Sequence, residues 1–162
     1  MAKKKDISQL VPDLKRGLAM STYFAADRIT KSLKEVGPYW TGQFESAWEV
    51  QTGQDGIAPS LKDQSIINAN GAIEYQGKEY RQPGDPVTTP AFVPLPDGLK
   101  GYMIGNLMEY REEAMDLKPG VRTDNFTNLT AREDWFVSYT KGSEMQKDLR
   151  ESVQKGLRKE GF

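Results

Sequence analysis

Four carboxylates lie within eight residues of one another: Glu109, Glu112, Glu113 and Asp116. On a helix, Glu109 and Glu113 share one face, and paired carboxylates of this kind can move protons or hold a divalent cation. Here they are interleaved with Arg111 on a short segment, so solvation or an intersubunit salt bridge is the expected role. The chain has no Cys and no His. That removes thiolate and imidazole nucleophiles and bases, disulfides, and the zinc sites built on those ligands. Ser46 has Lys34 upstream, but no Ser-x-x-Lys or Gly-x-Ser-x-Gly pattern is present, nor a glycine-rich phosphate loop. Two Asn-x-Thr triplets, at Asn125 and Asn128, are read as chance matches. No catalytic residue, metal site or cofactor is therefore expected, and the chain is not read as an enzyme.

Charge adds a further exclusion. Lys and Arg number 22 against 23 Asp and Glu, a formal net charge of -1 over 162 residues. Such a balance exerts no general pull on nucleic acid or anionic lipid. Near the C-terminus, Lys147, Arg150, Lys155, Arg158 and Lys159 alternate with Glu144, Asp148, Glu151 and Glu160, so no clean basic stripe forms. Lys3, Lys4 and Lys5 are not followed by an apolar stretch of the kind a secretory signal needs, and no run is long enough for a membrane helix. Leu, Ile, Val and Phe together make up about a fifth of the chain, close to the level at which a core becomes thin. Aromatic content is nonetheless 10%, which points to a thin-cored subunit that uses neighbours to cover apolar area.

Length suits a single domain spanning 1–162. Leu14, Leu18, Ala25, Ala26, Ile29, Leu33 and Val36 recur three or four apart and predict an amphipathic helix from about Pro12 to Val36. Pro12 suits its first turn, and Gly37-Pro38 its stop. That is about 37 Å of helix. Thr41-Gly42 can turn the chain, and 43–51 reads as a short helical turn feeding a strand. Residues 101–106 have strand composition. Leu107 to Leu117 has helical spacing and stops at Pro119-Gly120. Ser143 is placed to cap a last helix with Met145, Leu149, Val153 and Leu157 on its packing stripe.

Between these parts, 51–100 holds Pro59, Pro83, Pro86, Pro90, Pro94 and Pro96 and six glycines. Within it, 72–75 and 78–81 read as a hairpin around Gln76-Gly77, with 65–68 pairing alongside. An extended arm that grips a neighbouring subunit is expected from so long a coreless stretch. The fold class expected is α+β: an antiparallel sheet packed by a long N-terminal helix and a C-terminal helix, with the hairpin and arm in the middle.

Pro38, Thr41, Gly42, Phe44 and Ser46 spell Pro-x-x-Thr-Gly-x-Φ-x-Ser after the long helix, with the serine one residue earlier than in the Pro-x-x-Thr-Gly-x-Φ-x-x-Ser order. Later come Ile104-Gly105-Asn106, Tyr110 and Gly120, the aromatic pair Trp135-Phe136, and a final helix. This order resembles the tail-completion proteins (neck or tail-terminator) of tailed bacteriophages. Phe44 stands at a usually aliphatic position and Arg111 at a usually small one. The resemblance implies a subunit of a closed ring, typically a hexamer, at the head-proximal end of the tail. Its partners would be copies of itself, the tail tube protein and a neck or stopper protein, with DNA passing unread through the lumen. It would reside in the virion, and in the host cytoplasm during assembly. A stopper ring of the neck is the alternative reading, and a small nucleic-acid-binding protein the more distant one. Interface residues would come from Tyr39, Trp40, Thr41, Gly42, Phe44 and Ser46, with Tyr75, Tyr80, Asn106 and Tyr110; Trp48 is expected to face inward.

Overall fold

The computed structural model describes residues 6–38, 42–53, 56–62, 65–67, 73–75, 85–95, 101–115 and 134–162. The fold is α+β. Helix α1 (Ile7–Val36) begins five residues before the expected start. Asp6 caps it by accepting a hydrogen bond from the Ser8 N–H at 3.1 Å, and Pro12 lies inside the helix rather than in its first turn. Gly37 ends α1 and donates its N–H to the Leu33 carbonyl, but with extended backbone (φ -70°, ψ 166°) instead of a left-handed cap. Pro38 is the reason: the residue before proline is pushed toward extended geometry.

Gly42 then turns the chain at φ 82°, a conformation that favours glycine, into the single turn α2 (Gln43–Ser46). Strand β1 (Trp48–Thr52) pairs antiparallel with β4 (Tyr102–Asn106), with Trp48 opposite Asn106 and Val50 opposite Ile104. A separate pair forms between β2 (Ser65–Ile67) and β3 (Ile73–Tyr75). The segment expected to pair beside the hairpin is thus the described partner of β3; 76–81 lies outside the described residues. Three short or medium helices follow: α3 (Arg111–Met115), α4 (Trp135–Lys141) and α5 (Ser143–Lys159).

Of the predicted helix over 107–117, the described residues form helix only as α3, and 116–117 lie outside them. Leu107 and Met108 instead extend the sheet: the Ser60 and Leu61 N–H groups donate to the Leu107 carbonyl, and Leu61 bridges Met108. Ser143 is the first residue of α5 rather than its cap; Gly142 occupies the cap position and makes no side-chain cap.

The core gathers Ala25, Ile29 and Leu33 of α1 against Phe44, Ala47, Trp48, Met108, Trp135 and Tyr139. Helices α1 and α5 run antiparallel, with Arg16 meeting Glu160 and Arg28 meeting Asp148. Of the expected stripe, Met145 packs against the core and Leu157 against Gly17, and the rest departs from it. Asp148, Ser152 and Gly156 of α5 are buried, while Leu149 and Val153 are exposed. On α1, Gly17 and Ser21 are buried, while Leu14 and Leu18 are exposed. A Cβ on Gly156 would lie 2.4 Å from the Ser21 backbone nitrogen, so only glycine lets the helices come this close. Ser21 Oγ donates to the Gly17 carbonyl at 2.7 Å and also contacts the Val153 carbonyl at 3.2 Å.

The extended arm expected to grip a neighbouring subunit is held on its own subunit over 85–95. Thr89 Oγ1 donates to Asp27 at 2.8 Å, and Lys34 Nζ to the Thr88 carbonyl at 2.8 Å. Phe92 packs between Tyr23 and Tyr102, with centroids 4.9 and 5.2 Å away. Tyr102 donates to the Val93 carbonyl and accepts from the Leu95 N–H. These contacts hold 85–95 on the subunit's own long helix and strand β4.

Candidate functional site

The residues singled out by the sequence motifs mostly hold the subunit's interior together. Phe44 is buried, edge-on to Trp48 and Trp135 and stacked with half-buried Tyr110 at 6.2 Å. Asn106 is fully buried. Its Nδ2 donates to the Phe44 carbonyl at 2.7 Å and its Oδ1 accepts from the Met108 N–H at 3.0 Å. That clamp ties the α2 turn to the end of β4. Arg111 supports it from outside, donating to the Asn106 and Ile57 carbonyls, which accounts for a long cation at that position. Ser46 is exposed and closes its own turn by donating to the Gln43 carbonyl at 2.9 Å. The expected interface role of Phe44 and Asn106 is therefore corrected to a structural one: buried inside the subunit, neither presents a surface to a neighbour. Trp48 points inward as expected, with a buried indole N–H that has no hydrogen-bond partner among the described residues. Tyr39, Trp40, Thr41 and Tyr80 lie outside the described residues, and of Tyr75 only the backbone of β3 is described.

A polar cluster that the sequence placed on a solvated face turns out to be interior. Asp148 is buried and accepts from Arg28 Nε at 2.8 Å, Ser32 Oγ at 2.6 Å and the Tyr139 hydroxyl at 3.0 Å. Burial by itself raises the Asp148 pKa. The hydrogen bonds from Ser32, Arg28 and Tyr139 outweigh burial and hold the carboxyl below its ordinary value. Burial pushes the Tyr139 hydroxyl well above the usual phenol range, with the Asp148 charge adding to it against the opposing Ser32 bond. The hydrogen bond to Asp148 raises the Arg28 pKa in turn. A carboxylate so fully supplied with donors joins three helices and is poorly placed to take a proton from a substrate. The spacing Asp148, Ser152, Gly156 was the available signal, a small and polar line at i, i+4, i+8.

Glu112 and Glu113 are exposed on α3, and Asp116 lies outside the described residues. Among the described residues no group of three acidic side chains is placed to hold a metal ion. Two α5 cations lie over the Phe24 ring, Lys155 at 4.1 Å and Lys159 at 5.1 Å, and Arg28 reaches Glu151 at 3.1 Å. No helix among the described residues is long and apolar enough to cross a membrane.

No family model, curated protein or solved structure matches the chain. The features that could meet a partner are consequently read from the molecule itself, and two are apolar. One is the N-terminal part of α1, where Ile7 is 85% exposed, Val11 60% and Leu14 41%. The other is a cleft of about 630 Å³ between β4 and the helices, walled by Ile29, Leu33, Ile104, Phe136 and Met145, with Glu112 and Arg111 also in its lining.

Proposed function

We propose that the chain is a structural virion subunit that assembles into a ring at the head-proximal end of a phage tail, completing the tail tube and joining it to the neck. The observation that carries this reading is where the apolar side chains lie. The α1–α5 seam is made of Gly17, Ser21, Ser152 and Gly156, while Ile7, Leu10, Val11, Leu14, Leu18, Leu149 and Val153 stay exposed. A seam that buries its small residues and leaves these aliphatic ones exposed is suited to burying the latter against other chains. The motif order of the sequence supports the phage assignment, and the α+β frame accommodates it. Copies of the chain, a tail tube protein and a neck protein are the partners in this reading, and DNA crosses the lumen without being read.

The mass of the native full-length chain tests it. Light scattering after size exclusion is expected to give a discrete multiple of the subunit, with six the leading number. A monomer at every concentration from micromolar to millimolar would reject it.

A further inference from the structure

We infer that the N-terminal turns of α1 from one subunit dock in the β4–helix cleft of the next copy, forming a head-to-tail junction; this rests on the ring reading above. Arg16 meets Glu160, so the two turns before Asp13 run past the end of α5. All of residues 7–12 are exposed, and Ile7, Val11 and Leu14 recur at i, i+4, i+7 on one face. That is the pattern of an amphipathic helix that lays its apolar face into a groove.

The same molecule carries a groove of matching chemistry. Ile104, Phe136 and Met145 are half-buried walls of the 630 Å³ cleft, with Ile29 and Leu33 at its base. Its own helix tip cannot fill it. Ile29 lies 22 residues along a rigid helix from Ile7, a separation of about 33 Å. A contact between two tips would leave the cleft uncovered. A second copy reconciles both, because its tip is free to reach.

Charge points the same way. The sequence ahead of Ile7 reads Lys3-Lys4-Lys5-Asp6, three cations to one carboxylate, while the cleft is lined by Arg111 and Glu112, with Glu109 and Glu113 exposed on the same stretch of chain, three carboxylates to one cation. Tip and cleft are different surfaces, so the contact is heterologous, and repeated copies close into a ring if the rotation allows.

The decisive experiment is complementation by native mass measurement on full-length chains. Val11→Glu spoils the tip and Met145→Glu the cleft; Met145 sits in the first turn of α5, where an added carboxylate is compatible with the helix dipole. Each variant alone is expected to run as a monomer with unchanged circular dichroism. Mixed, they are expected to give a one-to-one dimer and nothing larger, because one intact tip and one intact cleft remain. Should Met145→Glu lose its fold, the chain's lack of cysteine offers a second route. V11C mixed with M145C is expected to yield a disulfide-linked dimer, and V11C alone none. Assembly of Met145→Glu like the unmodified chain, or self-linking of V11C, would overturn the docking while leaving the ring reading standing. A monomeric unmodified chain would remove the ring reading itself.

Discussion

The two halves of α1 have similar apolar spacing and opposite fates. From Ala25 to Leu33 the helix is covered by Phe44, Trp48, Met108 and Tyr139, and its aliphatic side chains are buried. From Ile7 to Leu18 they are exposed, and the buried line there is Asp13, Gly17 and Ser21. The difference comes from the partner. The C-terminal half meets a sheet and aromatic side chains at ordinary packing distance. At Ser21, α5 comes too close for a Cβ on Gly156, and at Gly17 the Leu157 side chain leaves little room for one. An apolar periodicity therefore specifies a helix with an apolar stripe but leaves open which neighbour covers it.

Substitutions on the covered half should show the largest effects. Trp48→Ala and Leu33→Ala remove buried side chains and are expected to cost about 3–5 and about 2–5 kcal/mol in urea unfolding. Leu14→Ala on the exposed half should cost under about 1 kcal/mol in the isolated subunit. Equal losses at Leu33 and Leu14 would dissolve the contrast between the two halves.

The Asp148 junction comes next. Asp148→Ala leaves the Tyr139 hydroxyl and Ser32 without their acceptor and is expected to destabilise by about 2–3 kcal/mol near neutral pH. Because the folded-state pKa of Asp148 is lowered, its contribution is fully present above the unfolded carboxyl pKa of about 4 and fades as pH falls through the folded value. The gap between Asp148→Asn and the unmodified chain should accordingly narrow below about pH 4. A gap independent of pH would show that the carboxylate charge is not what holds the junction.

Gly156→Ala probes the seam directly and should cost about 1–3 kcal/mol by overpacking, read as a lower urea midpoint. Gly42→Ala, at φ 82°, is expected to cost about 1 kcal/mol from backbone strain alone, read from thermal melts. If Gly156→Ala cost nothing, the close approach of α1 and α5 would not constrain the seam.

Much of the secondary structure was legible. The apolar recurrence through Ile29 and Leu33, the strand at 102–106 and the final helix all follow from local pattern, since each repeats at its element's period. Trp48 facing inward was legible from its place at the start of a strand behind the long helix. The burial of Asp148 was not. A charged residue flanked by Lys147 and Leu149 looks solvated until Arg28, Ser32 and Tyr139, from two other helices, arrive around it. Nor was the docking of 85–95, since a proline-rich stretch carries no period and its anchors are single residues at Thr89 and Phe92.

The sequence by itself determined the long first helix, the strand at 102–106 and the last helix, and that thiol and imidazole chemistry are closed to the chain. Those outcomes depend on residue type and on spacing within a few turns. Only the tertiary structure decided which side chains of α1 and α5 become interior. The distance between two helices is set by the smallest residues that meet at their crossing, and residues 17, 21, 152 and 156 meet only once the chain has folded.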